Sequence, residues 1–534
     1  ILSSEVITTK NVDINMLSPM MKEIYDYMQQ YPDDIVLTRV GDFFEAYFED
    51  AIEVSRLTGI TLTAKTLGKK EERLNIPMAG VPHRTLNDYA SRLVDYNKRI
   101  VVVEQLEDPK SVKAGQLVKR GVVRIITSST VVEDGFIDDH LNNYLCVICK
   151  IGHDYGICFS DISTGEIFMT STDSVDGVLN ELSRYKPSEL LVNNECFLLF
   201  NESITRKLKL HINITIKDSL FKVTDIFSKI ESAFKIDSID KIQFNHVSEL
   251  HSLYVLLSYV EYTQCISVDY GSLPVSYTTD SFMSFDMDTR RNLELCENII
   301  DRKKQGTLLS VLDKTGTVMG SRLLRQWIEK PLISKSKIES RLGAVEELLN
   351  NLEICENIRG NLEFIYDISR IMGRLKLNKS VPRDLICLRE SLKKLPEVKS
   401  ELSKLTSPLL IELYNEFNTF EDLCFLLEQS ICDEPVSDIR EGLVIKSGYN
   451  KELDKARDML SNSNKYLMEL EEREKESTGI KNLKVTNVGG VCTIEITKSN
   501  LNKVPSNYIV EKSMKTRKHK AVNLFRDSKM AARG

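Results

Sequence analysis

The feature that most constrains the fold is a change of character near Met283. Before that point, short segments typical of strands alternate with short amphipathic helical segments, whereas afterwards helical segments follow one another with few breakers. Alternating strands and helices pack as layered sheets, while consecutive helices pack on one another, so the two halves cannot share one continuous core. At 534 residues the chain is also several times longer than a typical domain. We therefore predict a multidomain α+β protein.

The first part is predicted to be an α/β domain. Ser18-Pro19 supplies an N-cap and a first-turn proline, and apolar residues follow at helical spacing. Residues 35–40 are typical of a strand that ends at Gly41-Asp42. We expect a helix over residues 43–58, and short strands and helices from there to about Thr130, including a strand at 100–103.

A second α/β domain is predicted to begin near Asn142. Residues 145–150 and 156–160 are typical of strands, and residues 161–166 of the turn after them. Helices are expected around 175–185 and 247–263.

The rest of the chain is predicted to consist of long helices that carry a small β insert. Residues 319–329 and 338–350 show apolar spacing of three and four, and residues 446–475 are rich in Lys, Glu and Leu. Such length with alternating charge indicates coiled-coil-like levers. Gly479 ends this stretch, and residues 492–497 alternate as a strand does.

The composition excludes some classes of protein. No run of apolar residues is long enough for a membrane span, and the N-terminus has no secretory pattern. Eleven scattered cysteines fit a reducing cytosol better than a disulfide framework. Cys146 and Cys149 have no matching second pair for zinc, so we predict buried strand cysteines and no metal site. Because the chain starts with Ile, we expect a fragment.

The charge is unevenly distributed along the chain. The net charge is −7, but residues 61–124 hold 13 Lys and Arg against 7 Asp and Glu, and residues 511–534 hold 8 against 2. An acidic body with basic patches suits a protein that contacts a polyanion with part of its surface. Solvated basic faces would give the same composition, so charge alone does not decide.

Residues 41–48 form the most informative motif. One interpretation is structural: Asp42 caps the predicted helix, Glu45 completes a capping box, and the aromatic residues belong to the core. The other is functional. Phe43 would occupy the first helical position, away from the buried stripe, where an exposed aromatic ring can act as a wedge between stacked bases.

The segment Gly41-Asp42-Phe43-Phe44-Glu45 resembles the Gly-Asp-Phe-Tyr-Glu motif of the MutS mismatch-repair family. Further blocks similar to that family follow in its order, at residues 77–83, 104–109, 122–127, 161–166, 289–295, 319–324, 341–348 and 446–450. A single block is a weak signal, but this many in one order over nearly the whole chain is specific. The resemblance implies five segments: a mismatch-binding domain (1–135), a connector (136–275), a helical core and lever domain (276–445), the lever tip and β clamp (446–510) and an unassigned basic tail (511–534).

The resemblance also implies roles for individual residues. Phe43 matches the wedge that stacks on a mispaired base and kinks the duplex, and Glu45 matches the carboxylate that hydrogen-bonds that base. Lys65 matches a position near the DNA backbone. Lys498 and Asn507 match clamp positions near the backbone. For Lys65, Lys498 and Asn507 an ordinary solvated surface role is the alternative.

Three features depart from the family pattern. The clamp segment, residues 486–498, lacks the family's tyrosines and is one residue shorter. The basic tail after Tyr508 does not align, which a frameshift would explain. No Gly-x-x-x-x-Gly-Lys-Ser/Thr motif occurs in the sequence, so we expect no nucleotide site, no cofactor and no enzymatic activity in this chain. ATP and Mg²⁺ would belong to the full-length family member.

The resemblance therefore implies recognition of double-stranded DNA that carries mismatches or small loops. The resemblance further implies a MutL-type partner, a cytoplasmic, nucleoid-associated location and a homodimer, although the family's main dimer contacts lie largely in the missing ATPase domain. One alternative is a MutS-like relative that binds recombination junctions, which typically lacks the Phe-x-Glu element. The other is a truncated or decayed product that acts only as a protein-interaction module.

Overall fold

Two six-stranded sheets, a helical region and a small hairpin follow one another along the chain, which is a multidomain α+β protein as predicted. The computed structural model describes residues 7–67, 74–107, 118–132, 138–204, 212–268, 270–283, 285–434, 443–461, 463–488, 491–496 and 500. This described part divides between Cys424 and Phe425 into two units.

The first sheet lies between one helix on one face and two on the other, in the spatial order β3-β4-β2-β1-β5-β6. Only β1 and β5 pair in parallel. Its strands are β1 (Ile35–Val40), β2 (Phe43–Tyr47), β3 (Thr63–Leu67), β4 (Leu74–Pro82), β5 (Ile100–Gln105) and β6 (Arg120–Ile126). Helix α1 (Pro19–Gln30) begins at the predicted cap, where the Ser18 hydroxyl accepts the Met21 N–H at 3.4 Å. Helices α2 (Phe48–Thr58) and α3 (Leu86–Asp95) cover the opposite face.

The predicted helix over residues 43–58 is wrong in its first five residues. Residues 43–47 form strand β2, which pairs with β1 on one side and β4 on the other. The helix begins only at Phe48, whose φ is +54°. Asp42 and Glu45 therefore form no capping box, and Phe43 is not at a helix start. The apolar residues fit helical spacing, but hydrogen bonds to two neighbouring strands outweigh that local preference.

The second sheet has the order β11-β10-β7-β8-β9-β12. Its strands are β7 (Tyr144–Ile151), β8 (Asp154–Asp161), β9 (Glu166–Thr172), β10 (Glu189–Val192), β11 (Asn213–Ile216) and β12 (Val275–Ser276). The predicted turn at 161–166 joins β8 to β9. The helices around it are α4 (Val175–Tyr185), α5 (Asn194–Ser203), α6 (Ile226–Phe234) and α7 (Val247–Gln264). Both helices expected from the sequence are confirmed, and α7 is buried along most of its length.

The region after Met283 is helical as predicted. Its longest described helix, α14, has 21 residues. The helices of this region are α8 (Met287–Asn292), α9 (Leu308–Leu312), α10 (Val318–Glu329), α11 (Lys335–Asn350), α12 (Leu352–Leu362), α13 (Ile368–Lys376), α14 (Pro382–Leu402), α15 (Pro408–Glu416) and α16 (Glu421–Ser430).

Buried arginines tie this helical region to the segment before β7. Arg322 on α10 forms a two-pronged ion pair with Asp367 at 2.6 and 2.9 Å and donates to the Asp139 carbonyl at 2.9 Å. Arg370 on α13 donates to the Leu141 carbonyl at 2.8 Å and pairs with Asp139 at 2.6 Å. Charged, multiply bonded contacts of this kind fix orientation as well as proximity.

The unit after Cys424 contains the predicted β insert. Helices α17 (Lys451–Ser461) and α18 (Ser463–Thr478) precede a hairpin of β13 (Lys484–Val488) and β14 (Val491–Glu495). Helix α17 starts later than predicted because residues 447–449 form a turn, in which Gly448 has a φ of +90°. The Asn450 carboxamide then accepts the Glu452 and Leu453 N–H groups.

The predicted burial of the strand cysteines is confirmed. Cys146 and Cys149 lie on β7 with at most 4% of their surface exposed, and burial raises the pKa of both thiols. Throughout the part of the chain that the structure describes, no cluster of three His, Cys, Asp or Glu residues is placed to hold a metal ion. Across the same residues, every helix is too short or too polar to cross a lipid bilayer.

Candidate functional site

A tight hairpin turn presents the motif of residues 41–48. Gly41 and Asp42 connect β1 to β2, and Gly41 has a φ of +59°, which favours glycine as the first residue of a two-residue turn. The Asp42 carbonyl accepts the His83 N–H at 2.9 Å, so the turn is fixed to the end of β4. The first residue after this turn is Phe43.

The Phe43 side chain lies at the exposed start of β2, an interior strand of the first sheet. It is 46% exposed, whereas the neighbouring Phe44 is 2% exposed and belongs to the core. Phe43 lies opposite Pro82 on β4 and beside Gly80, where a Cβ atom would stand 3.6 Å from the ring. A large apolar side chain held at a rigid hairpin, with much of its surface in water, is available to contact a ligand.

Alternate residues of β2 share one face of the sheet, because successive side chains of a strand point to opposite sides. Phe43, Glu45 and Tyr47 therefore lie in a row. Lys65 joins the same face through β3, since Lys65 pairs with Ile76 on β4. The structure thus brings together three of the residues predicted from the sequence: Phe43, Glu45 and Lys65.

Hydrogen bonds connect Lys65 to Glu45 through Tyr47. The Lys65 ammonium donates to the Tyr47 hydroxyl at 2.9 Å, and that hydroxyl donates to Oε2 of Glu45. Lys65 also stands 5.2 Å from the centroid of the Tyr47 ring. We call these three residues the Lys65–Tyr47–Glu45 chain. It fixes the rotamer of Glu45 and places a positive charge behind its carboxylate.

The Tyr47 phenol is held in its protonated form. It is fully buried, and burial, together with the hydrogen bond to and the negative charge of Glu45, raises its pKa far above the usual value. The Arg120 guanidinium offsets part of that shift. A protonated phenol can only approach Glu45 as a donor, so Oε2 is occupied while a carboxylate keeps a second oxygen that can accept.

Thr38 adds a buried polar atom beside this row. It lies across from Glu45 on β1 and is fully buried, and its hydroxyl has no hydrogen-bond partner in the described part of the chain. Leaving a buried hydroxyl unpaired has a free-energy cost.

Tyr47 is the residue of this candidate site that the sequence does not single out, because the predicted helix over residues 43–58 places it with the core aromatic residues. The signal was nevertheless present, because Phe43, Glu45 and Tyr47 recur with a period of two, which is the spacing of one strand face. Lys498 and Asn507, the two predicted clamp residues, lie outside the described residues.

Three domains of one protein family match consecutive parts of this chain. Family models described as MutS domain I, MutS domain II and MutS domain III match residues 18–135, 143–269 and 288–515. The candidate site lies in the segment that matches domain I.

Curated relatives named DNA mismatch repair protein MutS align with nearly all of this chain. The relative from Caldicellulosiruptor saccharolyticus is 37% identical over 507 residues, which cover 93% of this chain and 56% of the relative. That from Clostridium beijerinckii is 40% identical over 500 residues (93% and 52%), and that from Clostridioides difficile 36% over 509 (94% and 52%). The chain thus spans about half the length of these curated relatives.

Proposed function

Because this chain belongs to the MutS DNA mismatch-repair family, we propose that it recognises mismatched double-stranded DNA by inserting Phe43 into a kinked duplex. The observation that carries this proposal is the row on one face of β2. There an exposed aromatic ring at a hairpin tip stands two residues from a carboxylate held by Tyr47 and Lys65.

Insertion of Phe43 would depend on how easily a base-pair step deforms, and not on its base sequence. Separating two stacked base pairs costs a few kcal/mol, and the cost is smallest where base pairing is already defective. A ring such as that of Phe43 replaces part of the lost stacking at any such step. Because β4 and β5 flank the hairpin of β1 and β2 on its two sides, little freedom is lost when the ring inserts.

Glu45 gives the wedge a polar partner. A carboxylate close to phosphates is repelled, so it aids binding only if it gains a hydrogen bond to the displaced base, for instance by taking up a proton. The Lys65–Tyr47–Glu45 chain reduces that repulsion, because it supplies a cation and a hydrogen-bond donor on the protein side. Lys65 has a second proposed role as a contact to the DNA backbone, where it would add a salt-dependent contribution.

Other roles follow from the family and are part of the same proposal. The full-length protein would be an ATP- and Mg²⁺-dependent homodimer that recruits a MutL-type partner at the nucleoid in the cytoplasm. The present chain of 534 residues would by itself bind no nucleotide and catalyse no reaction. Lys498 and Asn507 would contact the DNA backbone from the clamp.

Fluorescence anisotropy with three labelled DNAs tests the proposal. We expect the chain to bind a duplex with one G·T mispair more tightly than its matched twin, and a four-way junction no more tightly than the matched duplex. Preference for the junction would favour the recombination-type alternative. Equal affinity for all three DNAs would contradict mismatch recognition by this chain.

A further inference from the structure

A cavity of about 230 Å³ lies between the second sheet domain and helix α10. Tyr144, the first residue of β7, and Arg184, near the end of α4, line one part of it. Arg325 on α10 and Lys330, which directly follows that helix, line another part. Because a water molecule occupies roughly 30 Å³ of liquid, the cavity has room for several waters or for one small hydrated ion. It lies far along the chain from the row on β2 and has no part in the proposed wedge.

Cationic residues outnumber carboxylates in the wall of this cavity, by five to two. The two carboxylates are engaged, since Glu297 pairs with Lys186 at 2.9 Å and with Arg325 at 2.8 Å, and Glu329 pairs with Arg325 at 3.2 Å. The remaining cations of the wall are Arg184, which pairs with Glu181, Arg322, which pairs with Asp367, and Lys330.

Lys330 has no carboxylate within ion-pair distance among the described residues. Its ammonium stands instead 3.7 Å from the ring centroid of Tyr185 and 4.8 Å from that of Phe168. Burial lowers the pKa of Lys330 to about 8. A half-buried ammonium that relies on aromatic faces leaves its strongest interaction, a charge-assisted hydrogen bond to an anion, unmade.

Arg184, a residue of the wall, also has a donor without an acceptor. It is 4% exposed, and while its Nη1 atom pairs with Glu181 at 2.6 Å, its Nε atom has no partner in the described part of the chain. Native proteins pair most buried donors, so an orphaned guanidinium donor in the same wall as the Lys330 ammonium indicates a missing acceptor.

We propose that this cavity is a binding site for a phosphate-class anion, held by Lys330 and Arg184. A tetrahedral oxyanion supplies several acceptor oxygens at once and matches a wall that offers donors from more than one side. Its source would be free inorganic phosphate or the phosphate group of a small metabolite. Since Arg184 lies on α4 of the second sheet domain and Lys330 directly follows α10, the ligand would join the two regions and stabilise their contact.

Thermal unfolding of the full chain during a titration with sodium phosphate tests this site, with sodium chloride keeping the ionic strength constant. We expect a saturable rise in Tm. Lys330→Gln should weaken the apparent affinity at least about tenfold, the loss of one charge-assisted hydrogen bond. Lys335→Gln is the matched control, because Lys335 is close to Lys330 in the chain but its side chain is 87% exposed. This variant should bind phosphate as the wild type does.

A second measurement keeps the test independent of the variants' folding. The ³¹P resonance of inorganic phosphate should broaden saturably with wild-type protein and recover on addition of excess sulfate. The same titration with glycerol phosphate separates the two sources, since tighter binding of the ester would assign the site to a metabolite. Absence of saturable broadening, or equal phosphate stabilisation of wild type and Lys330→Gln, would overturn the proposal.

Discussion

Replacing Gly373 with alanine should separate α13 from the turn between β8 and β9. A Cβ atom at Gly373 would lie 2.0 Å from the carbonyl oxygen of Ser163 and 2.8 Å from its carbon. An ordinary C···O contact is about 3.3 Å, so the two backbones must move apart by about 1.3 Å. The turn cannot yield easily, because the Ser163 hydroxyl and N–H both donate to Asp161, at 2.6 and 2.9 Å.

The expected cost of Gly373→Ala is that of overpacking, about 1 to 3 kcal/mol of unfolding free energy. If about 150 to 250 residues around Gly373 unfold as one unit, that corresponds to a fall in Tm of about 2 to 12 °C by differential scanning calorimetry. Gly343→Ala is the matched control. It also lies within a helix, α11, but a Cβ atom there would meet nothing within 4 Å. Relief of the helix penalty of glycine should raise its stability by about 0.5 to 1 kcal/mol. Equal changes in the two variants would refute the close contact at Gly373.

Three further predictions concern charge. Burial raises the pKa of the Asp50 carboxyl from 3.8 to about 7, although the Val36 N–H opposes the shift; the folded state therefore keeps a proton that the unfolded chain releases. The free energy of unfolding should therefore fall as the pH rises between those two values, and Asp50→Asn should remove that fall. If urea unfolding shows the same pH dependence in the wild type and in Asp50→Asn, the assignment is contradicted. Glu45→Gln should keep or tighten DNA binding and reduce mismatch preference, since it removes a charge near phosphates while Tyr47 can still donate to the amide oxygen; anisotropy that shows lost affinity with unchanged preference would argue against the role of Glu45. Because the clamp lacks family residues, DNA binding should be weak with a shallow log-log salt dependence, and a slope typical of many phosphate contacts would exclude this.

The parts of the fold that sequence reasoning located best are those with the simplest patterns. Strand β7 is a continuous apolar run, and most of its residues are buried. Helix α4 has capping and amphipathic signals that agree with each other, and it was predicted with the bounds the structure has. In both cases the local preference and the tertiary environment favour the same structure.

Strand β2 illustrates why the remainder could not be predicted. Its residues are compatible with a helix, and pairing with both β1 and β4, the latter more than thirty residues away, decides for a strand. The Lys65–Tyr47–Glu45 chain depends on the same pairing, because Lys65 reaches Tyr47 through the register of β3 on β4. Phe43 and Glu45 were found through the resemblance, while Tyr47 required the sheet. The bounds of the five predicted segments stay predictions.

The central claim is that the exposed ring of Phe43 reads the mismatch. The most direct test is the anisotropy of Phe43→Ala on a duplex with one G·T mispair and on its matched twin, beside the wild type. Phe227→Ala is the control, because Phe227 on α6 is also exposed, at 51%, but lies in the second sheet domain. The account predicts that the wild type and Phe227→Ala prefer the mismatched duplex and that Phe43→Ala binds both duplexes alike. An undiminished preference in Phe43→Ala would contradict it.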